Sequence, residues 1–142
     1  MPHPLLYEVN TRQWLADLSR RHGREIDLFA VPEDELAALE AKGFTHVWLM
    51  GVWPTGPRSR EQAVRHPDLR KAYDDALPGW TDEDVLGSPY AVGALHVSPL
   101  LGGDAGLSAL RERLDERGIK LILDFVPNHL GLAHAWVLSR PH

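Results

Sequence analysis

The sequence predicts an α/β fold built on a parallel sheet, and two observations lead to that class. Three apolar segments of strand length alternate with two amphipathic helical segments along the 142-residue chain. Each helical segment ends at a glycine, and the next apolar segment begins directly after it. This strand–helix–strand order with short connections is typical of right-handed βαβ units, in which neighbouring strands run parallel.

The first strand is predicted at 5–9, where LLYEV is apolar and aromatic. Residues 10–27 are polar, and we expect the run RRHGRE within them to form a solvated loop. The first helix is predicted at 31–43. Pro32 suits its first turn, three acidic residues follow near the positive end of the helix dipole, and Gly43 is a stop signal.

The second strand is predicted at 44–53, where FTHVWLMGVW is almost continuously apolar. Such a run is typical of a strand covered on both faces. Residues 54–103 are rich in glycine, proline and charge, so we expect a long irregular segment. A connection of this length inside a domain is usually functional or disordered.

The second helix is predicted at 104–118, with Asp104 as N-cap and Gly118 as stop. Its leucines recur three and four residues apart on one face. The third strand is predicted at 119–126, where IKLILDFV is again apolar.

Composition and charge narrow the function. The net charge is −5 and no strong basic cluster is present, so a nucleic-acid partner is not expected. The absence of cysteine excludes disulfides, thiolate metal sites and a cysteine nucleophile. The longest apolar run is too short to cross a membrane, and the first residues do not resemble a signal peptide. We therefore predict a cytoplasmic protein with no membrane partner.

Polar side chains stand where the third predicted strand ends. Asp124 lies within the apolar run, and Asn128 and His129 follow it directly. In parallel sheets, ligands bind at the carboxyl ends of the strands, where the strand-to-helix loops meet. The sequence therefore places a candidate site in the loops at 10–30, 54–103 and 127 onward.

Four motifs in order resemble the alpha-amylase family of glycoside hydrolases, family thirteen. DFVPNH at 124–129 resembles the family's signature at the end of the third barrel strand. GFTHVWLMGVWPTG at 43–56 is similar to its second-strand signature, and LYEVNTRQW at 6–14 resembles its first strand. GSPYAV at 87–92 resembles the stretch that carries a sugar-stacking tyrosine. The family usually shows Asp-Tyr where Ala94 and Leu95 stand here.

The resemblance implies a fold and an activity. The fold would be the N-terminal portion of a (β/α)8 TIM barrel, with three parallel strands, two main helices and a long strand-to-helix loop at 54–103. It would form one domain over 1–142, with no separate second domain. The activity would be retaining cleavage or transfer at alpha-glucosidic bonds of alpha-glucans or alpha-glucosides, through a covalent glycosyl-enzyme handled by two carboxylates.

The resemblance also implies roles for four residues. Tyr90 would stack on the glucosyl ring, and His129 would hydrogen-bond a hydroxyl of that ring. Asp124 would be a buried structural carboxylate at the active-site rim, paired with an arginine of the fourth strand. Asn128 matches a position that ligates calcium in some members. No cofactor is required, and calcium is the one metal that the resemblance raises.

The family's nucleophile, acid/base and third carboxylate come from the fourth, fifth and seventh strands. A full barrel needs about 250 residues, so we expect none of the three among these 142 residues. The chain alone is predicted to be inactive. Its unpaired strand edges also favour self-association.

Plainer interpretations of the same residues remain open. His129 would cap a carbonyl in a turn, Asn128 would adopt a left-handed turn conformation, and Tyr90 would be a packed aromatic. For the whole chain, the alternatives are a non-catalytic alpha-glucan-binding fragment and an inert truncation. Within the acidic segment 73–87, Asp82, Asp84 and Gly87 resemble the start of an EF-hand loop. Leu86 stands at the third ligand position and no glutamate closes the loop, so a solvated loop is favoured there.

Overall fold

The structure is a computed structural model that describes residues 3–139. It contains three strands and six α-helices, with a short 3-10 turn at Pro99–Leu101. In chain order they are β1 (Leu6–Asn10), α1 (Thr11–His22), α2 (Glu33–Ala41), β2 (His46–Met50), α3 (Pro57–Arg65), α4 (Pro67–Ala76), α5 (Gly103–Asp115), β3 (Lys120–Leu123) and α6 (Ala135–Ser139).

The three strands form one parallel sheet in the order β1-β2-β3. Val9 of β1 lies opposite Leu49 of β2, which lies opposite Leu123 of β3. The α/β class and the parallel sheet are thus confirmed. The two predicted helices correspond to α2 and α5, and a glycine with positive φ, Gly43 or Gly118, precedes the strand that follows each of them.

The sheet buries one face. Along β2, Val47 and Leu49 are buried, whereas the alternate residues His46, Trp48 and Met50 are only partly buried. Buried leucines of α1, α2 and α5 join the two β2 side chains in the hydrophobic core (Leu18, Leu36, Leu110 and Leu114). The run was predicted to be covered on both faces; in the structure one face of β2 is fully buried and the other is partly buried.

Residues 11–22 form helix α1, where the sequence predicted a polar loop. Asn10 begins the helix by accepting a hydrogen bond from the Gln13 amide at 3.5 Å. Gly23 ends it in the left-handed conformation, with φ 63°. Trp14, Leu15 and Leu18 are buried on one side. The first three residues of RRHGRE thus belong to the last turn of a helix. Its apolar stripe is short, but its residues are three and four apart, as a helix requires.

Residues 54–103 are also more regular than predicted, because they contain α3 and α4. Each of these helices begins with a proline in its first turn, Pro57 and Pro67. Ala63 is the only buried residue of α3, and α4 buries none. Both helices therefore gain little from the hydrophobic core, and the prediction of an irregular segment with two main helices in the whole chain did not include them.

The start of α5 also differs from prediction. Gly102 is the N-cap, and the Asp104 carboxylate instead accepts a hydrogen bond from the Val97 amide at 2.7 Å. Asp104 thus ties the incoming chain to the first turn of the helix.

The chain divides into two compact units. The first unit, Met1–Val52 with His96–Phe125, contains the sheet and helices α1, α2 and α5. The second unit, Trp53–Leu95 with Val126–His142, contains α3, α4 and α6. Within the described residues, every helix is too short or too polar to cross a bilayer.

Candidate functional site

Asp124 belongs to the first unit and lies directly after β3. Its side chain is buried, with the residue 7% exposed. One carboxylate oxygen accepts a hydrogen bond from the Trp48 indole nitrogen at 2.8 Å, and the other accepts one from the Gly51 amide at 2.7 Å. The carboxylate therefore joins the end of β3 to β2 and the turn after it.

In the second unit, three loop segments meet around residues 90–93, which we call the tyrosine segment. On one side, Thr55 and Val92 form an antiparallel bridge, and the Gly93 amide donates to the Pro54 carbonyl at 2.8 Å. On the other side, the Gly131 amide donates to the Val92 carbonyl at 2.9 Å. The tyrosine segment is thus held on both sides by main-chain hydrogen bonds.

Glycine allows this close approach. A Cβ added to Gly131 would lie 2.8 Å from the Ala91 carbonyl oxygen, which is a backbone atom. A Cβ added to Gly93 would lie 3.1 Å from the Gly56 amide nitrogen. Any larger residue at 131 would push the loop that carries His129 away from the tyrosine segment.

The structure brings Tyr90, Asn128 and His129 together. The Nε2 atom of His129 lies 3.0 Å from the Tyr90 carbonyl oxygen. The Nδ1 atom lies 3.0 Å from the side-chain nitrogen of Asn128. All three residues are exposed, Tyr90 at 39%. The imidazole, hydrogen-bonded at both nitrogens, thus lies against the main chain of Tyr90, whose own residue is exposed.

The residues around Asn128 do not fit a calcium ion well. Calcium takes at least six oxygen ligands, and the Asn128 amide is turned toward His129. The described part of the chain contains no group of three or more His, Asp or Glu side chains that could hold a metal.

Sequence analysis did not identify the residues that hold the tyrosine segment. Thr55, Gly93 and Gly131 act through main-chain contacts with residues distant in sequence. A glycine two residues after His129 was the one available signal, and glycine at a close approach is a common device.

A family model and several solved structures match this chain. The model of the alpha-amylase catalytic domain matches residues 90–140, which include Tyr90, Asp124, Asn128 and His129. An alpha-amylase from Lactobacillus plantarum superposes with a TM-score of 0.67 at 24% identity, over 97% of this chain and 26% of that one.

Two further structures extend the comparison. A noncanonic maltogenic alpha-amylase from Thermotoga neapolitana gives a TM-score of 0.62 at 21% identity, over 97% of this chain and 26% of that one. A trehalose-6-phosphate hydrolase from Bacillus licheniformis gives 0.57 at 17%, over 94% and 18%. This chain thus spans about a quarter or less of the structures that it matches.

At these identities the structural likeness establishes the fold, which is a fragment of the (β/α)8 barrel with its three parallel strands in place. The family model adds a match in sequence over the region that carries the candidate site. The predicted family resemblance is confirmed: this chain resembles the N-terminal part of the catalytic barrel of the alpha-amylase family.

Proposed function

We propose that this chain is the N-terminal segment of a retaining enzyme of the alpha-amylase family, a hydrolase or transglycosylase that acts on alpha-glucans or alpha-glucosides. The matched structures include an alpha-amylase and a trehalose-6-phosphate hydrolase, and the substrates that these names indicate contain alpha-linked glucose. In this proposal the chain supplies part of the wall of the sugar site.

The contact between Tyr90 and His129 is the observation that carries the proposal. A glucosyl ring has an apolar C–H face that suits an aromatic ring and a rim of hydroxyls that seek hydrogen bonds. The exposed Tyr90 ring would supply the face. His129 would donate its Nε2 hydrogen, now bonded to the Tyr90 carbonyl, to a hydroxyl of the same sugar.

The chemistry itself needs two further groups. Retaining cleavage uses one carboxylate as nucleophile and another as acid/base. Asp124 fits neither role well, because both of its oxygens already accept hydrogen bonds within the first unit. We infer that the reacting carboxylates come from sequence outside these residues, and that this chain alone binds sugar without cleaving it.

Calorimetric titration with maltoheptaose tests the proposal. We expect weak saturable binding to the unaltered chain and at least a severalfold loss of affinity in Tyr90→Ala and in His129→Ala. Burial of apolar area contributes about 25 cal/mol per Å² and one hydrogen bond about 0.5–1.5 kcal/mol, so each loss would be measurable. Trp136→Ala is the matched control, because Trp136 is an exposed aromatic of the same unit that takes no part in the site.

Two results would count against this proposal. If maltoheptaose produces no heat, or if Trp136→Ala weakens binding as much as Tyr90→Ala does, then the site is not at Tyr90. The same samples can be assayed for new reducing ends. Binding without new reducing ends also fits a non-catalytic alpha-glucan-binding fragment, whereas no binding by a folded chain favours an inert truncation.

A further inference from the structure

His129 has a defined hydrogen-bond environment at both ring nitrogens. A carbonyl oxygen only accepts, so the Nε2 atom that lies 3.0 Å from the Tyr90 carbonyl carries the hydrogen. In the neutral ring, Nδ1 is then an acceptor, and it lies 3.0 Å from the Asn128 side-chain nitrogen, which only donates. The two contacts select the same one of the two neutral tautomers.

The opposite tautomer would fail at both positions. With the hydrogen on Nδ1, the Nε2 lone pair would face the lone pairs of the Tyr90 carbonyl, and the Nδ1 hydrogen would face the Asn128 amide hydrogens. Both hydrogen bonds would be lost unless Asn128 turned its amide around. The tautomer is therefore coupled to the orientation of the Asn128 amide.

The backbone on both sides of Asn128 and His129 is restrained. The Asn128 side chain therefore has only to orient the His129 ring. Pro127 fixes its own φ angle just before Asn128. Two residues after His129, the Gly131 amide is bonded to the Val92 carbonyl at 2.9 Å, and the loop continues with the His134 amide bonded to the Gly131 carbonyl at 2.9 Å.

We propose that Asn128 is a positioning residue that fixes the tautomer and the ring orientation of His129, so that Nε2 is the nitrogen that donates. A sugar hydroxyl at the site would take over, or share, the hydrogen that the Tyr90 carbonyl now receives. This consequence rests on the proposed function. The tautomer itself does not, because it can be measured without any sugar.

The test is nitrogen-15 NMR of the histidine rings in the chain near pH 7.5, with the His129 signals assigned by their loss in His129→Gln. We expect Nε2 to be protonated and Nδ1 to be unprotonated in the unaltered chain. In Asn128→Ala, the ratio of the Nδ1–H form to the Nε2–H form should rise about fivefold. That factor corresponds to the loss of one hydrogen bond with a net contribution of about 1 kcal/mol. In Asn128→Asp, the carboxylate can only accept, so the fraction of rings with a hydrogen on Nδ1 should rise, by transfer of the hydrogen from Nε2 or by uptake of a proton from solvent.

His134 is an internal control in every spectrum. Its Nδ1 atom accepts the Trp136 amide at 3.1 Å, so it has the same tautomer for a reason that is independent of Asn128. Its signals should stay unchanged in both Asn128 variants, which also reports that the second unit is folded.

The unaltered chain alone can overturn the proposal, by showing His129 with its hydrogen on Nδ1 or with an even mixture of tautomers. An unchanged tautomer ratio in Asn128→Ala, with His134 intact, would overturn it as well. If maltoheptaose fails to bind while the tautomer is as expected, the proposed function fails and the role of Asn128 stands.

Discussion

At the scale of single residues, Asp124 shows how a carboxylate is accommodated in an otherwise apolar strand region. A buried carboxylate is costly unless hydrogen bonds replace its lost hydration. The Trp48 indole and the Gly51 amide each donate to a different oxygen. These two donors come from β2 and the turn after it, so Asp124 fixes how the ends of two neighbouring strands align.

We predict that Asp124→Ala destabilises the first unit by about 2 kcal/mol, because the buried donors of Trp48 and Gly51 would lose their acceptor. Urea unfolding followed by tryptophan fluorescence measures this change. Asp75→Ala is the control, because Asp75 is an exposed carboxylate of α4. Equal stability of the Asp124 and Asp75 variants would show that these hydrogen bonds contribute nothing.

Sequence patterns located some residues of the candidate site and not others. The end of the apolar third strand carries three polar residues, Asp124, Asn128 and His129. This change from apolar to polar is apparent from the sequence alone. Gly131 matters because Ala91, forty residues earlier, passes 2.8 Å from where its Cβ would be. Such a distance depends on the tertiary fold, so the sequence showed only that Gly131 lies two residues after His129 and not that another segment approaches it.

At the scale of elements, prediction succeeded for α2 and α5, each of which ends at a glycine shortly before a strand, and failed for α1, α3 and α4, which no strand follows directly. Helix α5 buries Leu110 and Leu114, and the three- and four-residue spacing of its leucines is visible in the sequence. Helices α3 and α4 bury at most one alanine between them, so they depend on proline at the first turn and on local hydrogen bonds. Local propensity is a weak signal beside hydrophobic periodicity.

Helix α2 is joined to α5 and to Arg117, just after α5, by ion pairs that sequence periodicity does not reveal. Glu33 of α2 accepts a hydrogen bond from Arg117 at 2.8 Å and one from Arg113 at 2.7 Å. Arg117 also donates to Glu40 at 2.8 Å. The hydrogen bonds from Arg117, and then from Arg113, hold the pKa of Glu33 below its ordinary value.

This lowered pKa predicts how stability depends on pH. The unfolded chain binds a proton at Glu33 more readily than the folded chain, so the ion pairs stabilise the fold above the ordinary glutamate pKa. Their contribution is lost as the pH falls through the lower, folded pKa. We therefore expect Glu33→Gln to be less stable than the unaltered chain at pH 7, with the difference disappearing under strongly acidic conditions.

Urea unfolding at several pH values measures this difference, with Glu116→Gln as the control, since Glu116 is an exposed glutamate just after α5. The pairs are exposed to solvent, so added salt should also reduce the difference at pH 7. A gap between the Glu33 variant and the unaltered chain that does not change between neutral and acidic pH would contradict an ionic origin.

At the scale of the whole molecule, the sheet is open. Among the described residues, β1 and β3 each pair only with β2, so each has one free edge. The face that is not packed against the core carries exposed apolar side chains, including Leu6 at 44% and Ile122 at 39%. In a closed barrel neither edge would be free and this face would line the interior.

We predict that the isolated chain self-associates through this open sheet. Free edges and exposed apolar strand residues are recognised sites of association. Light scattering during size-exclusion chromatography should therefore give a mass that rises with concentration above the 15.9 kDa of one chain. Ile122→Lys should lower that mass, because a charge on the edge strand β3 opposes strand pairing.

Leu100→Lys is the matched control, because Leu100 is an exposed leucine in the 3-10 turn and lies outside the sheet. Its mass should follow that of the unaltered chain at every concentration. If the unaltered chain stays at one chain's mass throughout, the open sheet does not drive association. Of the two substituted residues, Ile122 lies in an edge strand and Leu100 does not. An equal reduction of the mass by both lysine variants would therefore show that added charge, and not the strand edge, is the cause.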